Sequence, residues 1–301
     1  MGEIPHIRKV ITERIVTKIG EKPHEIKPGA SAPIGIFDSG VGGISVLKEI
    51  MKQLPQEDVI YFADTARVPY GGRPPQEIIK INHEILDYLA AEGVKMIIMA
   101  CGTSSAVAYP AVKDKYKLPI IELIGPGSKE AAAKTRNGNV GVIATVTCVE
   151  SGAYQKTIKE FKKQAKVFAE GCPLFVPLIE GGFIEKDETR KVAEEYLKPL
   201  IKEDIDTLVL GCTHYPHLEK VIRGIAGKNV ELIDPARVSV AFAAKELRRL
   251  GLEKDKTTRA SYSYHVSGSV PQFKDIGSTL LGKPITQVKQ VTLVAKRGRI
   301  K

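Results

Sequence analysis

The chain reads as an α/β protein made of two similar halves, each a parallel sheet with flanking helices, and a single functional site drawn from both. Three observations predict this. Short apolar strands alternate with longer helix-period segments along most of the sequence, the pattern that parallel sheets with right-handed crossovers produce. Two stretches share one grammar: Met96-Ile-Ile-Met-Ala-Cys-Gly-Thr-Ser-Ser105 and Leu208-Val-Leu-Gly-Cys-Thr-His-Tyr-Pro216 each run from an apolar strand through a small residue and a cysteine to a polar tip. Their spacing also agrees, with 63 residues from Asp38 to Cys101 and 67 from Thr145 to Cys212.

The 301 residues, 43% hydrophobic and 27% charged, suffice for two cored domains of ordinary soluble type. No apolar run approaches the roughly 20 residues that span a bilayer, so no membrane partner is expected. The opening residues 1–6 lack the apolar core and cleavage site of a secretory signal, which predicts a cytoplasmic protein. A net charge of +10 raises the question of nucleic acid, but the basic residues are interleaved with acids except at 296–301. Aromatics make up only 6%, with no tryptophan, so no nucleic-acid partner is expected. Four cysteines are too few for a disulfide framework and are expected to be free thiols.

Residues 1–32 form an extension. Ile7, Ile11 and Ile15 fall four apart, consistent with a short amphipathic helix before the breaker-rich segment 22–31; a docked arm and a regulatory element both remain open. Residues 33–38 read as the first strand, followed by a glycine-rich turn and a helix over 44–53. The spacing is not the dinucleotide fingerprint G-x-G-x-x-G. Asp38 and Ser39 sit where a strand end meets a helix, either as ligand groups or merely as a helix cap. A strand over 58–64, a long Pro- and Gly-shaped loop over 65–75 and a helix over 76–92 lead to the strand that delivers Cys101. A helix starts near Ser104, and 118–124 is a further strand.

The pattern then restarts. Residues 139–147 echo the first strand, with a helix opening at 151–154; 171–182 reads as a Pro-punctuated strand and loop, and 187–203 as a charged helix. The strand over 206–210 delivers Cys212, and 231–235 is another. A helix over 238–250, a strand over 262–268 and a helix over 270–281 complete the series.

A cysteine at a strand end, beside a helix N-terminus and hydroxyls, is placed for its thiol pKa to fall towards neutrality. One such cysteine suggests a nucleophile. Two in matching frames suggest a base on one face of a carbon and an acid on the other, which inverts a stereocentre without a covalent intermediate. His214, two residues after Cys212, is placed to move a proton. Against this stands the reading of each cysteine as a small buried hydrophobe, preferred here for Cys148 and Cys172. Zinc is disfavoured because neither Cys101 nor Cys212-x-His214 has a second ligand pair nearby, and no phosphate-binding G-x-x-x-x-G-K-[ST] loop is present. His217 and the other histidines are expected at the surface or at caps.

The segments Asp38-Ser-Gly-Val-Gly-Gly43, Asp64-Thr-Ala-Arg-Val-Pro-Tyr-Gly71, Ala100-Cys-Gly-Thr103 and Gly211-Cys-Thr-His-Tyr-Pro216 resemble the four signatures of glutamate racemases, in order and approximate spacing. The resemblance runs from about residue 33 to 282. It implies two pseudo-symmetric doubly wound α/β domains with the site in the cleft between them: 33–125 together with 236–301, and 126–235. It implies interconversion of L- and D-glutamate without a cofactor or metal, supply of D-glutamate for peptidoglycan, and a homodimer. Cys101 and Cys212 would be the acid/base thiols, assisted by Asp38, His214 and Glu180. Ser39, Pro69, Tyr70, Gly71, Gly102, Thr103, Thr145 and Thr213 would surround the amino acid together with Asp38 and His214. Two departures stand out: the usual Ala-Cys-Asn-Thr is Ala100-Cys-Gly-Thr103, and the usual Gly-Thr-x-Gly-Thr is Ala144-Thr-Val-Thr-Cys148. They leave open an aspartate or broad-specificity amino-acid racemase, or a catalytically quiet amino-acid-binding relative.

Overall fold

The computed structural model describes residues 28–293 apart from 256 and 258, so the amphipathic segment at 7–19 and the basic tail at 296–301 lie outside the described residues. In chain order the elements are β1 (Ile34–Asp38), α1 (Ile44–Gln53), β2 (Val59–Ala63), α2 (Pro75–Ala91), β3 (Met96–Met99), α3 (Gly102–Val107), α4 (Tyr109–Val112), β4 (Ile120–Ile121) and α5 (Ile124–Lys134). There follow β5 (Asn139–Ala144), α6 (Val146–Glu150), α7 (Ala153–Phe161), β6 (Lys166–Gly171), α8 (Phe175–Glu180), α9 (Asp187–Lys202), β7 (Thr207–Leu210) and a 3-10 turn at Tyr215–Leu218. The last are α10 (Glu219–Ala226), β8 (Glu231–Ile233), α11 (Pro235–Leu250), β9 (Tyr262–Val266), α12 (Val270–Leu281) and β10 (Val288–Gln290).

Two sheets result, and every described strand pair is parallel. A six-stranded sheet runs β10-β9-β2-β1-β3-β4 and a four-stranded one β6-β5-β7-β8. The first sheet therefore draws strands from 34–121 and again from 262–290, around the residues that form the second. Parallel sheets covered on both faces need apolar residues on both, and β1 shows this, with every position buried. Ile34 and Ile36 pack into the cluster that holds Ile44 and Leu47 of α1, while Phe37 joins Ile78, Ile81 and Ile85 of α2 on the opposite face. The cluster on the α1 side continues into the second sheet through Leu208, Leu210 and Tyr215, so one core runs behind both.

Three sequence expectations need correction. The stretch 171–182 is not strand and loop: the strand is β6, ending at Gly171, and α8 follows it. Pro177 is compatible with that helix because it lies in the first turn, where backbone N–H groups have no intrahelical partner. The strand expected over 118–124 shortens to Ile120–Ile121, since Ile124 already opens α5. The strand expected over 139–147 stops at Ala144, where Thr145 caps α6 by accepting the Cys148 N–H at 3.3 Å.

Candidate active site

Four strand ends converge on one place, the usual position for ligand groups in open α/β sheets. Asp38 closes β1, Cys101 follows β3, Thr145 follows β5 and Cys212 follows β7. A cavity of about 420 Å3 lies among them. Its lining contains Asp38, Ser39, Pro69, Tyr70, Gly71, Cys101, Gly102, Thr103, Thr145, Cys212, Thr213 and His214, which are all the site residues expected from sequence except Glu180. The quoted motifs contain Val68 and Val146 of the apolar wall but not Pro173, Val176 and Pro177, which complete it together with Cys172. The Pro-punctuated segment 172–177 was the available signal for these.

The glycines of the first turn allow a close approach of the two lobes. A Cβ on Gly42 would overlap the His214 ring, and one on Gly43 would come within 2.7 Å of the Asp38 Cβ and 2.9 Å of the Tyr61 hydroxyl. That hydroxyl donates to the Gly40 carbonyl at 3.0 Å, while the Gly40 N–H donates to Asp38 Oδ1 at 2.8 Å, which holds the turn closed over the carboxylate. Burial raises the Asp38 pKa above the usual carboxylate range, opposed by the charge of His214 and by the Gly40 and Gly43 N–H groups.

The loop after β2 is organised by buried Asp64. It accepts from Tyr70 Oη at 2.6 Å, from Arg67 Nε at 2.7 Å and from Ser267 Oγ at 2.7 Å. Tyr70 and the cis Val68–Pro69 peptide thereby form one side of the cavity. The Gly72 N–H then reaches across to Thr147 Oγ1 at 2.8 Å, joining the loop of the six-stranded sheet to α6 of the four-stranded one. Another bond between the two halves links the Thr103 and Thr145 hydroxyls at 3.0 Å.

The two thiols differ. Cys101, 5% exposed, donates to Ser39 Oγ over 3.8 Å. Its pKa is not drawn towards neutrality as position alone suggests. Burial, reinforced by the Asp38 carboxylate, pushes it up to about 11 despite hydrogen bonds from Ser104 in the first turn of α3. Cys212 lies 3.7 Å from His214 Nδ1, and His214 Nε2 lies 2.9 Å from Glu180 Oε1. Burial alone would lower the His214 pKa, but the hydrogen bonds to Cys212 and Glu180 raise it to about 10. At neutral pH the ring is therefore an imidazolium between a sulfur and a carboxylate.

His217 is not the surface residue expected. Burial and its cationic neighbour His214 depress its pKa to about 4, and its Nε2 is enclosed without a partner. Cys148 and Cys172 are buried with raised pKa values, chiefly through desolvation, and are held as thiols. Among the described residues no group of three or more His, Cys, Asp or Glu side chains is placed to hold a metal, and no helix is long and apolar enough to cross a membrane.

Residues 34–243 match the family model described as Asp/Glu/hydantoin racemase. The chain belongs to this family. It is 47% identical over 264 residues to a glutamate racemase of Trichodesmium erythraeum, covering 87% of this chain and 97% of that one. The fold is similar to the crystal structure of a glutamate racemase isoform from Bacillus anthracis, with TM-score 0.84, 35% identity and coverage of 87% and 98%. It is also similar to that of the Francisella tularensis glutamate racemase in complex with D-glutamate, with TM-score 0.83, 34% identity and coverage of 89% and 100%.

Proposed function

We propose that the protein interconverts L- and D-glutamate by proton transfer at Cα between Cys101 and Cys212. The observation that carries this is the placement of two thiols, one from each half of the fold, on the wall of a single cavity. Their unlike surroundings supply one acid and one base. Cys101, with its pKa raised, is a proton donor at neutral pH; Cys212 has the His214 ring 3.7 Å away as its own partner. Asp38, whose own proton affinity is raised by burial, is the acceptor that returns Cys101 to the thiolate for the reverse direction.

The α-proton of an amino acid is weakly acidic, so the carbanion-like transition state needs preorganised donors. Thr103, Thr213 and the backbone N–H groups at the N-terminus of α3 line the cavity where the substrate carboxylate would sit. D-glutamate for peptidoglycan, made in the cytoplasm by a homodimer, is the wider role that this reaction and the family resemblance support.

The test is proton NMR of L-glutamate incubated with the protein in deuterated water, with a chiral assay of the product. Loss of the α-proton signal with appearance of D-glutamate is expected, and Cys101→Ala or Cys212→Ala should each abolish two-way racemisation. Retention of proton and configuration, with turnover of aspartate instead, would reassign the substrate.

A further inference from the structure

Asn82 is out of keeping with its surroundings. The buried face of α2 carries Ile78, Ile81, Ile85, Leu86 and Leu89, and Asn82 stands among them fully enclosed. Its Nδ2 donates to the Ile78 carbonyl at 2.7 Å and to Ser104 Oγ, in α3, at 3.2 Å, whereas its Oδ1 is enclosed without a partner. Turning the amide round would not help, because the Ile78 carbonyl can only accept. A buried acceptor left unpaired is a standing cost that an apolar residue at this position would avoid.

Ser104 is itself wholly buried and lies in the first turn of α3, the helix that Cys101 begins as N-cap. Both its N–H and its hydroxyl face the Cys101 sulfur and favour the thiolate. A serine hydroxyl carries one proton. With the Asn82 amide donating to its oxygen, that proton cannot point back at α2 and is left to point at the sulfur. Neither Asn82 nor Ser104 lines the cavity, so both act on the thiol from behind.

We propose that Asn82 and Ser104 are positioning residues for Cys101: the Asn82 amide fixes the Ser104 hydroxyl as a donor to the sulfur, and the pair thereby stabilises the thiolate that takes the proton from Cα in one direction of the reaction. The proposal rests on the two-thiol reading above. Burial and the Asp38 carboxylate on β1 both oppose that thiolate, while Tyr61 on β2, Tyr70 in the following loop and Cys148 in α6 hold their protons at neutral pH and add no charge. Ser39 Oγ also lies 3.8 Å from the sulfur, but on the cavity wall, where a bound substrate competes for it. Ser104 is held in place whether or not the site is filled.

The test is the rate at which iodoacetamide alkylates Cys101 from about pH 7 to about pH 10, followed by mass spectrometry of the peptide that contains it, because the thiolate is the reacting form. Ser104→Ala should lower this rate about threefold or more. Losing a donor to a charged group thins the thiolate about tenfold or more, and the more basic thiolate regains part of that through its higher nucleophilicity. Asn82→Leu should slow alkylation about twofold or more, and Asn82→Ala, which cannot overpack, should do the same. In the Ser104→Ala background neither Asn82 substitution should slow it further. Steady-state racemisation of glutamate by the same variants should show a lower kcat with KM within about twofold of the parent.

A parental alkylation rate in Ser104→Ala overturns the proposal. So does an Asn82 effect that persists undiminished without the Ser104 hydroxyl, a fall in melting temperature with no slowing of alkylation, or a higher KM at constant kcat. Alkylation needs no substrate, which separates this proposal from the glutamate reading. Slower alkylation supports the pair even if glutamate proves inert, and an unchanged rate refutes it even if glutamate is racemised.

Discussion

At the scale of single residues, Gly102 carries the most specific consequence. A Cβ at this position would overlap the carbonyl oxygen of Gly211, so the two cysteine-bearing turns meet backbone to backbone. Restoring the asparagine common in the family therefore adds an amide only by pushing the two turns apart. Gly102→Asn should lower kcat/KM by roughly 100-fold, the order of loss that ångström-scale misplacement of reacting groups produces. A gain in kcat/KM, measured by coupled chiral assay, would mean that the turns can separate freely.

His214 sets the alkaline limit. Its folded pKa of about 10 lies above the ordinary 6.5, so the stability contributed by its interactions with Cys212 and Glu180 is fully present below about 6.5 and lost as pH rises through about 10. Activity should fall over the same upper range as the imidazolium beside Cys212 disappears, and His214→Asn should remove that limb from the pH–rate profile. The positions of Asp38, Cys101 and Cys212 were legible because strand-end grammar is local. The proton affinity of Cys101 was not, because it depends on burial and on Asp38, 63 residues away in the chain.

Among the elements, the two crossings between the sheets stand out. The chain passes from β4 to α5 beside Glu122, whose carboxylate accepts the Ile124 and Gly125 N–H groups, and returns from β8 to α11 beside Asp234, which accepts the Ala236 N–H at 2.9 Å. The crossings pack together: Ser239 Oγ donates to the Glu122 carbonyl at 3.0 Å, and Gly127 faces the Pro235 ring. Burial raises the Glu122 pKa to about 7 and that of Asp234 to about 6. The sign is the same as for His214, since this group too holds its proton longer in the folded state than in the unfolded state: Glu122 makes stability fall as pH rises from 4.5 through about 7. Glu122→Gln should flatten that part of the melting-temperature profile, and a profile with the parental slope would assign the pH dependence elsewhere.

Element reading from sequence succeeded where burial is strong. The helix expected over 44–53 has those bounds, and the helix expected over 187–203 is observed as Asp187–Lys202. It failed at edges. β6 and β10 are outer strands with partly or fully exposed residues, so neither presents the apolar run by which inner strands are recognised.

Across the whole molecule, the cavity exists only where the two sheets meet, and few direct hydrogen bonds cross its rim. The Gly72 to Thr147 bond is one of them. Thr147→Val keeps the shape and removes the acceptor, which should weaken the pairing by about 1 kcal/mol and raise KM a few-fold with little change in melting temperature. A lower kcat at constant KM would indicate that the bond tightens only in the transition state. The joint site was legible from two matching cysteine segments, but its apolar wall was so only in part, since Val176 lies in α8, outside the segments that hold Val68 and Val146.

The order of strands in the larger sheet also dictates a timetable. β2 is flanked by β1 and β9, and Val59 pairs with Tyr262, so one edge of β2 has no partner until some 200 further residues have been made. At ~5–20 residues per second of synthesis, that edge waits roughly 10–40 s, during which the four-stranded sheet can already be complete. The nascent chain thus finishes its second half before its first. An open β2 edge, rather than the cleft, is the surface that a chaperone would have to guard, and shortening the wait by circular permutation should raise the soluble yield.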